Sequence, residues 1–387
     1  MRTIAWTIFA TLIAAAPAAA QVPPPDSAQA PAAYSMVAPV TPTPPDFPRG
    51  KISGYLFGDY YYNLAGDAAH RYNAAGSDSA KTNIDNSSAQ QIGRDLNGVQ
   101  IRRVYFQLDN DLSVKYSTRL RLEIDSKSLT SDGKLGVNVK AAYALARGVV
   151  PRGDLYVGML TTPIWENAEE FWQYRSIEKP IADFRGIGTS ADIGAELKGF
   201  FDPDHHVGYA AMVGNGQGQK PEDNRYKKFY LSLPARFGDL RVEPYVDYEN
   251  AATAHDRATY KLFAGYEFAR AAFGVEALDR VNHVPGANNQ EPAGVSFFAR
   301  ATRPSLTGSS IAAFARVDFW RPDRRNPNRV DSQLWIAGID WQPIKDVHFM
   351  PNIEATQYDA KGTAVAPAHH DLQARLTFYY RFSRPQS

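Results

Sequence analysis

Charged side chains recur at every second position in several stretches of this sequence. One such row is Arg119, Arg121, Glu123 and Asp125, with apolar residues at the positions between them. A second row of the same kind runs from Arg241 to Glu249. Fixed charges of both signs on one face can pair across neighbouring strands or set up a field that acts on dissolved ions. Because charges need water or partners, and the apolar positions need lipid or a core, these segments must lie between two different surroundings.

Other residue types that could carry chemistry lack the necessary pattern. The sequence contains no Gly-x-Ser-x-Gly and no His-Glu-x-x-His motif, so we expect no catalytic residue, metal or cofactor. The pairs His205-His206 and His369-His370 fall in predicted turns, where loop polarity accounts for them.

The elements that must position the charged rows are long strands. In the segment from Asp371 to Phe382, apolar and polar residues alternate strictly, which predicts a strand with one apolar and one polar face. Ordinary strands have about five or six residues, whereas a tilted strand needs about 9–11 to cross a membrane. The sequence predicts sixteen such strands, at 51–63, 98–110, 113–126, 137–148, 153–163, 191–201, 206–215, 226–237, 239–250, 258–268, 270–281, 293–303, 309–320, 332–343, 346–358 and 370–382.

The connections between these strands alternate in length. Tight links such as Gly238 and Ile344-Lys345 alternate with long ones such as 64–97 and 164–190. Short turns at one end and long loops at the other are typical of outer-membrane barrels. The pattern therefore predicts an all-β chain that forms a 16-stranded antiparallel transmembrane β-barrel of the outer-membrane porin type, wide enough for an aqueous lumen.

Composition agrees with an exported barrel. The chain has 387 residues, no cysteine and a net charge of +1, which argues against disulfide stapling and against nucleic acid as a partner. The mean hydropathy of −0.39 fits strands that alternate apolar and polar residues. No apolar run near the length of a membrane helix follows the first twenty residues.

Four segments follow from these patterns. We expect a signal peptide over 1–20, with Arg2, an apolar run and Ala18-Ala19-Ala20. A Pro/Ala-rich periplasmic tether is expected over 21–50. The barrel is expected over 51–382, and a short tail over 383–387 has no predicted role.

Strand parity predicts which charges face the lumen. The basic set is Arg103, Arg119, Arg121, Lys140, Lys198, Lys228, Arg241, Lys261, Arg300, Arg316, Arg375 and Arg381. The acidic set is Asp109, Glu123, Asp125, Asp192, Glu196, Glu243, Asp247, Glu249, Glu267, Asp318, Asp340 and Glu354. Because the two sets are equal in number, we expect many cross-strand ion pairs and no dedicated anion ladder.

The link 164–190 is the predicted constriction. A short helix is expected over Glu166 to Tyr174, with tryptophan and phenylalanine anchoring it to the wall. Acids outnumber bases in this link. We expect Arg175 to face Glu169 and Glu170 across the opening and to create a transverse field. The candidate constriction residues are Glu166, Glu169, Glu170, Arg175 and Lys179.

Short motifs in a common order make the chain resemble the phosphate-selective porin family (O and P type) of Gram-negative outer membranes. They cover about 51–382 and are Gly54-Tyr55, Gly58-Asp59-Tyr60, Ile101-Arg102-Arg103, Ala142-Tyr143, Val157-Gly158 with Pro163, Asp192-Ile193-Gly194 with Gly199, Asn215-Gly216, Asp223-Asn224, Ala337-Gly338-Ile339-Asp340-Trp341 with Pro343, and Met350-Pro351-Asn352.

The resemblance implies a homotrimer in the outer membrane, with the 164–190 link as the third external loop, folded into the lumen. Family members tend to carry Gln and Lys where this chain has Met159 to Thr162, and Arg where it has Ala191. Phe382 near the C-terminus is expected to serve as the signal for the barrel-assembly machinery, with the lipid bilayer as the other partner.

The expected function is passive diffusion of small hydrophilic solutes or inorganic ions through a water-filled pore. A phosphate- or anion-selective channel is one alternative, and a cation- or sugar-preferring channel is another. An outer-membrane barrel hydrolase is the alternative from a different class, because some barrels of this kind are proteases or lipases.

Overall fold

The structure is a computed structural model that describes residues 46–66, 94–252, 255–304, 310–364 and 370–385. The expected signal peptide, almost all of the expected tether, and His369 lie outside these ranges. The first eight strands are β1 (Arg49–Ala65), β2 (Asn97–Asp111), β3 (Tyr116–Leu129), β4 (Leu135–Val150), β5 (Gly153–Thr161), β6 (Ala191–Phe200), β7 (Gly208–Gly214) and β8 (Lys228–Ser232 with Ala235–Phe237). The second eight are β9 (Leu240–Glu249), β10 (Arg257–Glu267), β11 (Ala271–Asn282), β12 (Ala293–Pro304), β13 (Ser310–Arg321), β14 (Val330–Ile344), β15 (Val347–Ala360) and β16 (Asp371–Pro385).

The sixteen strands form one closed antiparallel barrel, so the predicted fold class is confirmed. Each strand pairs with its neighbours in the sequence, and β1 pairs with both β2 and β16. Tyr55 lies opposite Tyr105 on one side and opposite Arg381 on the other. Closure satisfies the backbone hydrogen-bonding groups of the strands inside a membrane, where water cannot do so.

Strand β8 is interrupted where the sequence supplies a proline. Lys228–Ser232 and Ala235–Phe237 both pair with β9, and the break falls at Leu233 and Pro234. Proline has no backbone N–H to donate to the ladder. The two pieces therefore act as one strand of the barrel.

The two faces of the barrel differ as the alternation requires. On β13, Phe314, Arg316, Asp318 and Trp320 are buried inside, while Phe319 is exposed outside. Large apolar side chains are exposed on the outer faces of most strands. Examples are Val137, Val157, Phe229, Tyr260, Phe273, Phe297, Trp335, Ile339, Trp341, Ile353 and Leu376. An exposed apolar band of this kind is what a lipid-facing wall requires.

Connections at the two ends of the barrel differ in length. At one end the turns are short, as at Gly238 and Asp346, and both residues adopt the left-handed backbone conformation with φ of 61° and 67°. Glycine reaches this region without strain, and Asp tolerates it better than most residues. We call this the short-turn end and the opposite one the long-loop end.

Two short helices, α1 (Glu166–Trp172) and α2 (Ile181–Phe184), lie in the connection between β5 and β6. No helix within the described ranges is long and apolar enough to cross a membrane.

Candidate functional site

The connection from 162 to 190, which we call the internal loop, lies inside the barrel. Its apolar side chains Ile164, Phe171 and Ile177 are almost wholly buried. The ring centre of Phe171 lies 5.5 Å from that of Phe263 on β10 and 6.1 Å from that of Phe298 on β12. The apolar core of the chain is therefore formed by this loop and the inner wall.

The inner wall that packs against the internal loop covers only part of the circumference. One apolar cluster joins the loop to inward side chains of β10 to β15, and a second joins it to β5, β7, β8, β9, β11 and β13. Tyr379 on β16 borders the first cluster, and Tyr143 and Tyr156 border the second. Between these borders, the described side chains of β1, β2 and β3 contribute no member to either cluster.

Polar side chains of the wall hold the backbone of the internal loop. Arg102 donates to the carbonyl oxygen of Ile177 at 3.0 Å and also to that of Ser176. Arg316 donates to the carbonyl oxygen of Lys179. These bonds satisfy loop carbonyls that no helix or strand uses, and they fix the loop to both β2 and β13.

A β-bulge places both Arg102 and Arg103 inside the barrel. Phe57 on β1 pairs with Arg103 and the next residue pairs with Ile101, so Arg102 is the extra residue. Strand parity alone placed Arg103 inward and missed Arg102. The signal was present in the sequence, since two adjacent arginines in a membrane strand put one into lipid unless a bulge turns it inward. Strand parity also missed Asp59, which forms an ion pair with Arg102. Nε of Arg102 lies 2.6 Å from a carboxylate oxygen of Asp59.

Most inward charges form ion pairs along the wall. The structure places Arg103 beside Glu123 and, at 3.7 Å, Asp125. The other pairs between strand residues include Arg119–Asp109 at 2.5 Å, Lys140–Glu123 at 3.2 Å, Lys228–Asp247 at 3.3 Å, Lys261–Glu243 at 2.7 Å, Arg300–Glu267 at 2.6 Å, Arg316–Asp318 at 2.5 Å, and Arg375–Glu354. Many of these side chains are buried, so they support the wall and the loop rather than contact bulk water.

Arg121 differs from these residues. Its Nε donates to Oε1 of Gln107 at 2.6 Å, and its guanidinium carbon lies 5.6 Å from the ring centre of Tyr105. Within the described part of the chain, no carboxylate pairs with Arg121, and the side chain is half-buried.

The internal loop corrects the expected charge arrangement. Nε of Arg175 lies 3.3 Å from Glu169, and its guanidinium also reaches Asp183 at 3.9 Å. Glu170 pairs with Arg241 of β9 at 3.0 Å. Arg175 is therefore paired within its own loop, and Glu170 is paired with the wall, so Arg175 does not face Glu169 and Glu170 across an opening.

The other candidate residues of the loop have distinct positions. Glu166 accepts a hydrogen bond from Lys198 of β6 at 2.8 Å, which ties the start of α1 to the wall. The side chain of Lys179 is buried. Burial removes the Glu169 carboxyl from water and raises its pKa to about 7, although the positive charge of Arg175 opposes the shift.

Two predicted positions at the end of β16 need correction. Arg381 was expected along the pore wall, but it lies at the short-turn end, more than half exposed, and pairs with Asp346 at 2.6 Å. The strand does not end at Phe382, since Ser383 and Pro385 still pair with β1. The ring of Phe382 fills the space beside Gly54, where an added Cβ would lie 2.8 Å from it.

An exposed cluster in the β6–β7 turn has the donor types of a metal site. One ligand atom each of Asp202, Asp204 and His206 lies within 4.8 Å of the others. However, the two oxygens of Asp202 accept the backbone N–H groups of His206 at 2.8 Å and Val207 at 2.7 Å. These bonds lower the pKa of Asp202 and account for it as a turn residue.

Comparison with solved structures finds outer-membrane proteins. The chain is similar to the outer membrane channel DcaP of Acinetobacter baumannii, with a TM-score of 0.62 and 12% identity over 86% of this chain and 97% of that chain. It is similar to the anion-selective porin from Comamonas acidovorans, with a TM-score of 0.59 and 12% identity over 87% and 100% of the two chains. It also resembles the trimer form of OmpT, an outer membrane protein of Vibrio cholerae, with a TM-score of 0.57 and 12% identity over 87% and 100%.

These TM-scores show a shared fold, that of the porin barrels of Gram-negative outer membranes. No protein-family model matches the sequence, and no curated protein matches it. The resemblance to porins is therefore supported at the level of the fold, while the phosphate-selective type gains no support from these comparisons.

Proposed function

We propose that this protein is an outer-membrane channel through which small hydrophilic solutes and ions diffuse passively. The observation that carries the proposal is the inner face of β1 to β3. It bears half-buried polar side chains such as Arg119 and Arg121, and no member of the apolar clusters that hold the internal loop. A passage between this face and the loop would be wet and lined by charges of both signs.

The charge arrangement supports weak selectivity between ions. Pairing neutralises most inward charges, so the described part of the wall offers no continuous row of free cations. Phosphate selectivity is the narrower alternative, and it is supported only by motif order and by the unpaired Arg121.

The remaining assignments belong to the same proposal. Residues 1–20 direct export, 21–50 form a periplasmic tether, and Phe382 is read by the barrel-assembly machinery in a Gram-negative bacterium. The internal loop is the third external loop and lies beside the passage.

A homotrimer is proposed on the outer surface of β4 to β6. Val137, Val139, Val157 and Ala195 face outward there, whereas β11 to β14 carry rings such as Phe297. Small aliphatic residues let a second barrel approach closely. Val157→Arg should convert trimers to monomers in light scattering of detergent-solubilised protein, whereas Phe297→Arg should not.

Recordings in planar bilayers test the channel. Folded protein should give stepwise, ohmic conductance that scales with KCl concentration, and the reversal potential under a KCl gradient should be close to zero. Replacing chloride by phosphate separates the alternatives, since a phosphate channel would show a strong anion preference. Folded, heat-modifiable protein that inserts without conducting would refute the proposal.

A further inference from the structure

Tyrosines line the inner wall between the two apolar clusters. The ring centres of Tyr55 on β1 and Tyr105 on β2 are 4.6 Å apart, and those of Tyr143 on β4 and Tyr156 on β5 are 5.6 Å apart. We call these four residues the tyrosine face. Tyr55, Tyr143 and Tyr156 are half-buried, and within the described ranges their hydroxyl groups have no hydrogen-bond partner. Their rings and hydroxyl groups are therefore available to a solute.

Strand β3 places two arginines in the middle of the tyrosine face. Arg119 lies 5.6 Å from the ring centre of Tyr143 and is held by Asp109 at 2.5 Å. Arg121 lies at the same distance from Tyr105 but has no carboxylate partner among the described residues. The neighbouring bases Arg103, Lys140 and Lys198 each pair with a glutamate.

An unpaired guanidinium on a half-buried wall attracts an anion. Arginine binds carboxylate oxygens through two parallel hydrogen bonds, and Gln107 orients the side chain of Arg121 through Nε while the terminal nitrogens stay free. Tyrosine rings offer flat faces on which a planar ring stacks at an offset or edge-on. The two features are adjacent, because the guanidinium carbon of Arg121 lies 5.6 Å from the ring centre of Tyr105, which is 4.6 Å from that of Tyr55.

We infer that the tyrosine face with Arg121 is a binding site for a planar aromatic carboxylate on its way through the barrel. The carboxylate pairs with Arg121, and the ring packs on Tyr55, whose own ring lies against the buried Tyr105. This assignment rests on the proposed channel function and names the solute class that the passage holds best. A single free guanidinium matches a monocarboxylate, whereas a phosphate carries more charge and would need further unpaired cations.

The position of the site beside the internal loop makes occupancy measurable. Lys198 lies 5.8 Å from the ring centre of Tyr156 and also holds Glu166 at the start of α1. A solute bound on the tyrosine face therefore lies beside the loop, where it reduces the passage of small ions.

The test is block of KCl current through the full protein in planar bilayers by benzoate, acetate and inorganic phosphate. Benzoate should block saturably, with a half-blocking concentration about tenfold below those of acetate and phosphate, the effect expected from one favourable ring contact. Arg121→Gln should raise the benzoate value about tenfold, as expected for loss of a charge-assisted hydrogen bond. Arg119→Gln, which removes a paired arginine from the same strand, should leave it within about threefold.

Several outcomes would overturn the inference. Equal block by acetate or phosphate would show that the aromatic ring makes no favourable contact. Unchanged benzoate block of the Arg121→Gln channel would show that the guanidinium does not bind the carboxylate. If Arg121→Gln does not assemble, Arg121→Lys is the second variant, because it keeps the charge without the bidentate geometry. It should still raise the half-blocking concentration of benzoate. An unchanged half-blocking concentration would refute the site. Failure to conduct at all refutes the channel, whereas normal conductance without benzoate block refutes this inference alone.

Discussion

Nε of Arg102 lies 2.6 Å from a carboxylate oxygen of Asp59, and both side chains are fully buried. The same guanidinium holds the backbone of the internal loop at Ser176 and Ile177. Removing one member of a buried ion pair leaves an uncompensated charge, which costs about 3–5 kcal/mol. This pair therefore couples the wall of the barrel to the position of the loop.

Arg102→Met should lower the free energy of unfolding by about that amount, 3–5 kcal/mol, and release part of the loop. We expect larger and noisier single-channel currents and a lower temperature for loss of the heat-modifiable gel band. Arg119→Met is the matched control for stability, because its pair with Asp109 is about one-third exposed and is worth about 1 kcal/mol or less. An equal fall in the temperature of the gel transition in the two variants would contradict a loop-anchoring role for Arg102.

Gly265 provides the space for a ring of the internal loop. A Cβ added there would lie 2.6 Å from the ring of Phe171, so Gly265→Ala should displace α1 and destabilise the protein by about 1–3 kcal/mol. In Gly98→Ala the nearest atoms are at 3.6 Å, and this variant should retain wild-type conductance. Conductance and thermal gel shifts of the two variants check the expectation, which would be wrong if Gly265→Ala behaved like Gly98→Ala.

Glu169 should make ion selectivity depend on pH. Because its pKa is raised to about 7, the carboxylate compensates Arg175 at about pH 8 but is protonated at about pH 5. Reversal potentials should therefore shift toward anion preference on acidification. Glu169→Gln should keep the acidic value at both pH values, while Glu170→Gln, which alters an exposed acid, should keep the shift.

The same pKa fixes the sign of a stability effect. The folded chain retains on Glu169 a proton that the unfolded chain releases near its ordinary value of 4.5. This contribution to stability is greatest below that pH and declines as the pH rises toward about 7, since the unfolded state then binds fewer protons. Relative to the wild-type protein, Glu169→Gln should therefore become more stable as the pH rises from about 5 to about 8, as measured by thermal gel shifts.

The strands could be predicted from the sequence because each must satisfy lipid on one face and the interior on the other. The predicted segment 258–268 and the observed β10 at Arg257–Glu267 differ by one residue at each end. Strict alternation could not predict the bulge at Arg102. An inserted residue reverses which side chains of β2 face inward on the N-terminal side of the bulge. Pairing of Arg175 within its own loop depends on how the chain folds back after α1. The alternation of apolar and polar residues carries no information about that conformation.

Phe382→Ala should reduce assembly of the barrel, because the ring fills the space beside Gly54 on the first strand. We expect the yield of heat-modifiable protein in outer-membrane fractions to fall severalfold. Deletion of Ser383 to Ser387 is the comparison, since it removes pairing with Ser53, Ile52 and Lys51 but leaves that ring in place. It should have the smaller effect, and the reverse order would exclude Phe382 as the main signal.

Asp59 also accepts a hydrogen bond from Thr377 of β16 at 2.6 Å, across a sequence separation of 318 residues. Thr377 lies on β16 and Asp59 on β1, so this bond can form only when these two strands pair. The carboxylate that fixes Arg102 therefore gains this hydrogen bond only when β1 and β16 are paired. A barrel in which β1 and β16 are not yet paired lacks one of the contacts that support the internal loop. Closure of the wall and positioning of the loop beside the passage are therefore coupled.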